Sequence, residues 1–163
     1  MLVQRRIEFR TWDDLLTELD RLEASDRAGR IERAGTWSPG QNAWHVSEFI
    51  RMSIDGFGFR APLPLRLAAS LIKGWAMGPK PIPRNIALRG PMARVIPHEP
   101  ISTAAGFAAL RAQIDRIERG GEQCTHPSPL FGALTHDEWV RLHLKHAAHH
   151  LGMLHPSGAP KRA

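Results

Sequence analysis

The stretch that decides the fold is THDEWVRLHLKHAAHHLGMLHP, residues 135–156. Thr135 is followed three positions later by Glu138, which is the spacing of a capping box at the start of a helix. Pro156 cannot continue a helix, so a long helix is predicted from Thr135 to about Leu154. At 100° per residue, one narrow arc of this helix mixes apolar side chains with histidines. The residues on that arc are Trp139, Leu142, His146, His150 and Met153.

Three further long helices are predicted upstream from their start signals and their apolar spacing. The first begins near Trp12. The second begins at Ser38, which is followed by a proline, and runs to about Asp55. The third begins at Ser102 and runs to about Arg119, where two glycines stop it.

The connection between the second and third long helices is rich in proline. Residues 65–77 are predicted to form a short helix, and residues 78–100 an ordered, extended loop. No strand-like alternation competes with the helical pattern. The predicted fold class is therefore all-α, a four-helix bundle with a long crossover connection that carries a short extra helix. Residues 1–157 are expected to form one domain, followed by a frayed tail at 158–163.

The composition fits a soluble globular protein. The chain has 163 residues, of which 42% are hydrophobic and 23% charged, and one cysteine excludes an internal disulfide framework. The longest apolar stretch, residues 62–77, contains two basic side chains and is too short to span a membrane. Because the first residues also lack the apolar core of a signal peptide, we expect a cytoplasmic protein without membrane association.

The positive charge is concentrated in the middle of the chain. The formal net charge is +6, yet residues 51–98 contain eight basic side chains and one acidic one, which gives +7 for this segment alone. Such a segment suits nucleic acid, an anionic ligand or a membrane surface, or forms a solvated basic face. The basic residues are scattered and no aromatic-rich nucleic-acid motif accompanies them, which favours the solvated face and disfavours nucleic-acid binding.

The histidines carry the chemical signal. His146 and His150 lie one turn apart on the predicted buried arc, a spacing at which two imidazoles can bind one metal ion. His45, at the edge of the apolar stripe of the second helix, is the third candidate ligand. Three imidazoles leave positions open for water or substrate, as catalytic sites do. His143 and His149 flank the arc, and hydrogen bonding to solvent or to a neighbouring helix is the expectation for both.

Alternatives to a metal site remain open at this point. The same histidines suit a helix in which they pack and hydrogen-bond without metal, or one that captures metal adventitiously. Glu48, one turn from His45, is a candidate for orienting a ligand or acting as a general base. Cys124 lies in a predicted loop beside His126, which is more often incidental than catalytic.

Two segments resemble a known family. Residues 35–45 read GTWSPGQNAWH and resemble the G-x-W-S-x-G-Q-x-x-x-H opening of the second helix in DinB/YfiT-like proteins. Residues 130–151 are similar to the F-G-x-L-x-x-x-E-W and H-x-x-H-H-L ending of one bacterial branch of that superfamily, a branch of unknown function. The resemblance extends from Phe9 to Pro156. Met153 departs from the polar residue, commonly glutamine, that better-understood relatives carry there.

The resemblance implies a four-helix bundle, frequently a homodimer, with a divalent metal ion held by three histidines. Matched by position, these are His45, His146 and His150. Zinc and nickel are the usual occupants, with iron and manganese as further options.

The resemblance also implies a reaction class. Characterised relatives include metal-dependent transferases that use a low-molecular-weight thiol, so a thiol-dependent S-transferase acting on a small-molecule substrate is the first hypothesis. A basic connection from Lys73 to Arg94 is expected to cover the site and attract an acidic thiol or substrate. The alternatives are a metal-dependent hydrolase and a non-catalytic helical dimer that binds metal or ligand.

Overall fold

The computed structural model describes residues 2–78, 82 and 90–156 and shows an all-α helical bundle. In chain order the elements are α1 (Trp12–Arg27), β1 (Ile31–Arg33), α2 (Pro39–Asp55), α3 (Leu63–Met77), a 3-10 helix (Gly90–Val95), α4 (Thr103–Glu118), α5 (His136–Leu151) and β2 (Leu154–Pro156). The long helices α1, α2, α4 and α5 and the short extra helix α3 confirm the predicted all-α class.

Each long helix begins at a polar N-cap side chain that accepts a backbone N–H of the first turn. These N-caps are Thr11, Ser38, Ser102 and Thr135. In α5 the Glu138 carboxylate returns the interaction by accepting the N–H of Thr135 at 2.9 Å, which completes the predicted capping box. The sequence signals therefore fix where the long helices start.

The core lies between α1, α2, α4 and α5, and its largest fully buried side chain is Trp139. α2 and α4 make the most extensive helix pair. At the start of these two helices the backbones touch at Gly40 and Gly106, where a Cβ on Gly106 would collide with the backbone of Gly40. This close approach sets the distance between α4 and α2, the helix that carries His45.

The prediction that α5 continues to Leu154 is wrong. The helix ends at Leu151, and Leu154–Pro156 instead pairs antiparallel with Ile31–Arg33 in a two-stranded sheet. The guanidinium of Arg5 donates to the carbonyl oxygens of Leu151 and Leu154. The last carbonyl group of the helix therefore has a hydrogen-bond partner from outside the helix. Strands of three residues are too short to leave a period-two signal, so the expectation of no strands also fails here.

The long connection is described in part. α3 begins at Leu63, two residues before the predicted start, and a 3-10 helix occupies Gly90–Val95 within the segment predicted as an extended loop. Residues 79–81 and 83–89 of that loop, and the predicted tail at 158–163, lie outside the described residues. α3 packs on α5, and Lys73 pairs with Glu138 at 3.1 Å.

The outer face of α3 is apolar. Its large side chains that point away from the bundle are Leu63, Leu65, Leu67, Leu71 and Ile72. Leu71 is the most exposed of them, at 87%. In the described part of the chain, no helix combines the length and hydropathy that crossing a bilayer requires.

Candidate metal centre

Three histidines from two helices converge beside the core. His45 comes from the second turn of α2 and is 4% exposed, and His146 and His150 come from successive turns of α5. The Nε2 atoms of His45 and His146 lie 3.2 Å apart. One nitrogen from each of the three residues lies within 4.8 Å of the others. The structure thus brings together the three residues that the sequence singled out.

Hydrogen bonds on the far side of two rings hold the nitrogens in the form that binds metal. The Nδ1 of His45 lies 2.6 Å from the carbonyl oxygen of Val95, which can only accept, so Nδ1 carries the proton and Nε2 keeps a lone pair. The Nδ1 of His150 faces the Oδ1 of Asn42 at 3.4 Å, and the amide nitrogen of Asn42 donates to the Ser38 carbonyl at 3.0 Å. Asn42 is therefore fixed with its oxygen towards His150.

Burial keeps all three imidazoles neutral. Loss of solvation lowers the pKa of His146 and of His150 well below the ordinary value, and neighbouring histidines lower both further. Burial also lowers the pKa of His45, although the hydrogen bond to Val95 opposes the shift. Neutral imidazole is the form that binds a metal ion, so the cluster is prepared to act as a ligand set at neutral pH.

The spacing fits a divalent ion. Two nitrogens that share a tetrahedral zinc ion with bonds of about 2.0–2.1 Å lie about 3.3 Å apart. The observed 3.2 Å between the Nε2 atoms of His45 and His146 matches this value. His146 Nδ1 is buried and has no hydrogen-bond partner among the described residues, so Nε2 is the nitrogen that this ring offers to the cluster.

Aromatic rings fix the orientation of the cluster. Trp37 stacks on His150 with 5.5 Å between ring centroids and 9° between planes, and it also contacts His45 at 5.1 Å. Phe49 approaches His146 edge-on at 4.8 Å. These contacts limit the rotation of all three imidazoles, as a pre-organised ligand set requires.

The cluster lines a cavity of about 560 Å³, which we call the chamber. This volume is in the range of small-molecule sites. Four phenylalanines, Phe49, Phe57, Phe59 and Phe131, form what we call the aromatic wall. A metal held by the three histidines would thus have protein on one side and open space on the other, the arrangement of a catalytic site.

The other histidines of α5 have different positions. His143, predicted at the edge of the arc, is completely buried, and its Nε2 lies 2.8 Å from the hydroxyl oxygen of Ser53. Burial lowers the pKa of His143 to about 3. His149 lines the chamber, and the side chain of Gln4 donates to its carbonyl oxygen at 2.7 Å. Neither residue belongs to the metal cluster.

The structure also bears on Glu48 and Cys124. Glu48 forms a salt bridge with Arg51 at 2.8 Å, and the acceptor for His45 is the carbonyl of Val95, a backbone group that no side-chain pattern reveals. Cys124 is fully buried, and burial raises the pKa of its thiol, so it lacks the exposure and thiolate character of a reactive cysteine.

The expected basic cover is only partly described. Lys73 is occupied by Glu138, and Arg94 is exposed and does not line the chamber. Lys80, Arg84 and Arg89 lie outside the described residues. Of the described residues between α2 and α4, Phe57, Phe59, Ile82 and Val95 line the chamber.

The fold and the site together define a class, an all-α bundle with a three-histidine cluster that could hold a metal ion. The chain belongs to the family described as Protein of unknown function (DUF1569), whose model matches residues 1–157. No curated protein and no solved structure shows significant similarity to the chain.

Proposed function

We propose that this protein is a divalent-metal-dependent enzyme of the DinB-like superfamily, with His45, His146 and His150 as the metal ligands. One observation carries the proposal: three imidazole nitrogens converge beside a cavity large enough for a substrate. The superfamily assignment is supported by the placement of the ligands, one on the second long helix and two on the last. Imidazole donors suit zinc or nickel, with iron and manganese as alternatives.

The chain's own residues supply orientation. Val95 and Asn42 hold His45 and His150 with Nε2 towards the cluster. The rings of Trp37 and Phe49, which also line the chamber, pack against His150 and His146. A divalent ion held by His45, His146 and His150 would keep its positive charge on these neutral ligands and would lower the pKa of a thiol or water bound beside it.

Within this class, transfer of a low-molecular-weight thiol to an electrophilic small molecule is the reaction we propose. The thiol gives up its proton to solvent, its sulfur forms a bond to the electrophilic carbon, and the leaving group departs with the electrons of the bond that breaks. Hydrolysis ranks lower because none of the described residues that line the chamber has a carboxylate, the group that most often serves as a base towards water.

The test of the metal centre is elemental analysis of tag-free protein after incubation with zinc or nickel and removal of excess metal. We expect close to one ion per chain for the wild type, and loss of that ion in both His45→Ala and His146→Ala. His98→Ala is the matched control, because His98 is an exposed histidine outside the cluster. Metal in wild type and in both cluster variants alike would contradict the proposal.

The reaction is tested with protein loaded with one metal at a time. Loaded wild-type protein is expected to consume free thiol in the presence of an electrophilic acceptor, and His146→Ala is expected to do so at the uncatalysed rate. Equal thiol consumption by the two proteins would rule out thiol transfer at this site, while a stoichiometric ion in the same wild-type sample would leave the metal centre in place. The homodimer and the cytoplasmic location stay predictions.

A further inference from the structure

The lining of the chamber combines two chemically different groups of side chains. One is the histidine cluster, and the other is the aromatic wall of Phe49, Phe57, Phe59 and Phe131. None of the described residues that line the chamber has a charged carboxylate, ammonium or guanidinium group. The apolar surface of the lining is therefore available to an apolar body, and no described side chain there would neutralise a charged one.

The aromatic wall is held in place by the core. Phe57 is buried and stacks on Trp139 with 5.7 Å between centroids and 15° between planes. Phe49 meets the edges of Phe57 at 5.7 Å and of Trp139 at 5.8 Å, and Phe59 meets Phe57 at 6.0 Å. A wall fixed in this way offers a pre-formed surface for edge-on or stacked contact with a ring.

Two polar side chains of the lining are already engaged. The Ser128 hydroxyl accepts the backbone N–H groups of Leu130 and Phe131, at 3.3 and 3.1 Å, within its own turn. Asn42 is bound between the start of α2 and His150. Apart from these two, the described lining offers polar side chains at Thr36, His149 and the three cluster histidines.

We propose that the chamber takes an uncharged small molecule with an aromatic or bulky apolar body, which lies against the aromatic wall and directs its one polar, reactive group towards the histidines. The position of the reactive group rests on the proposed metal-dependent function, whereas the apolar body rests on the lining alone. This substrate class differs from the acidic one that the basic connection suggested.

The first experiment measures binding of the neutral dye N-phenyl-1-naphthylamine to the protein as purified and after treatment with chelator. We expect a saturable rise in dye fluorescence that corresponds to one dye per chain in both samples. Phe59→Asp places a charge on the aromatic wall and is expected to weaken dye binding about tenfold or more. Leu71→Asp is the matched control, because Leu71 lies on the exposed apolar face of α3, and it is expected to leave binding unchanged.

The second experiment needs no variant and so does not depend on how Phe59→Asp folds. Naphthalene-1-carboxamide and naphthalene-1-carboxylate, which differ mainly in charge, compete with the dye on chelator-treated wild-type protein. We expect the neutral amide to displace the dye at concentrations about tenfold or more below those the carboxylate requires.

The outcomes separate this inference from the metal proposal. Dye binding abolished by Leu71→Asp but not by Phe59→Asp would place the dye on α3 and overturn the inference. Displacement of the dye by the carboxylate at the same concentration as the amide, or at a lower one, would overturn it too. Because both experiments include metal-free protein, they can succeed when elemental analysis finds no metal, and fail when it finds one ion per chain.

Discussion

Two adjacent turns of α5 place histidines in opposite situations. His143 is completely buried, surrounded by rings that include Trp12 and Trp139, with the Ser53 hydroxyl as its polar partner. His146, three positions later, is half-buried, and it faces two other imidazoles and the chamber. Burial lowers the pKa of both side chains, so a depressed pKa alone does not distinguish them.

The difference between the two turns is what each ring faces. The Nε2 atom of His143 faces a single hydroxyl, and the Nδ1 atom of its ring is buried without a hydrogen-bond partner among the described residues. A nitrogen of His146 instead lies close to nitrogens of two other histidines that line the chamber. A histidine becomes a candidate ligand through convergence and open space, and burial only sets its protonation state.

The largest effect is expected on zinc affinity, when His146 and His143 are replaced by alanine in separate variants. His146→Ala should lower zinc affinity about 100-fold or more, since even loss of an outer hydrogen-bond partner costs about 10- to 100-fold. His143→Ala should leave zinc affinity nearly unchanged and cost about 2–3 kcal/mol in the free energy of unfolding. Competition with a chromophoric chelator and urea unfolding measure the two quantities. Equal loss of zinc in two folded variants would erase the distinction between the turns.

The second effect is on the pH dependence of stability. His143 has a pKa of about 3 in the folded protein and about 6.5 when unfolded, so below pH 6.5 the unfolded state binds the extra proton. Its contribution to stability is complete above pH 6.5 and is lost as the pH falls towards 3. Between pH 6.5 and 5 this amounts to about 2 kcal/mol.

Urea unfolding of chelator-treated protein at a series of pH values measures this loss. His143→Leu should have a shallower slope than wild type by about one proton over the same interval. The cluster histidines titrate in both proteins, so the difference between the slopes isolates His143. Parallel slopes would show that His143 gains its proton without unfolding.

The third prediction concerns the hydrogen-bond acceptor that Asn42 provides for His150. Asn42→Leu removes the acceptor that faces Nδ1 of His150 and should lower zinc affinity about tenfold. Asn42→Asp keeps an acceptor oxygen for His150 but loses the donor to the Ser38 carbonyl, so it should bind zinc more tightly than Asn42→Leu. The same chelator competition reads out both variants, and equal affinities for the leucine and aspartate variants would remove Asn42 from the site.

The smallest effect is expected from removing the hydrogen bond between Ser53 and His143. The Ser53 hydroxyl donates to the Ile50 carbonyl at 2.7 Å and accepts from Nε2 of His143, so Ser53→Ala leaves that buried N–H unpaired. We expect a loss of about 1 kcal/mol in unfolding free energy with no change in zinc affinity. Ser47→Ala is the control, because Ser47 is a buried serine of α2 whose hydroxyl donates only to the Trp44 carbonyl. A larger loss in Ser47→Ala would contradict the partnership of Ser53 with His143.

Local signals made much of the fold predictable from the sequence. The caps Thr11, Ser38, Ser102 and Thr135 each satisfy N–H groups within their own first turn, so neighbouring residues suffice to locate them. The end of α5 was not predictable, because Arg5 and the pairing of Leu154–Pro156 with Ile31–Arg33 act across the whole length of the chain. Long-range contacts of this kind leave no periodic signal.

The same contrast holds for the site. His146 and His150 share one helix, so their spacing alone places them together. The acceptor for His45 is a backbone carbonyl of the 3-10 helix, which any residue at position 95 would provide, so the sequence carries no mark of it. His143 is buried because α1 and α2 pack on α5 around it. A helical wheel describes a single helix without its neighbours, so it predicted His143 at the edge of the buried arc.

The hydrogen bond from His45 to Val95 joins the cluster to the last turn of the long connection. Binding equilibria that share such a contact are reciprocal, so the factor by which an ordered 3-10 helix favours metal binding is the factor by which metal binding favours the ordered 3-10 helix. Cleavage of residues 90–95 by a protease should therefore slow as the protein is loaded with zinc. Metal binding at the cluster and ordering of the 3-10 helix would therefore stabilise each other, although the connection supplies no metal ligand.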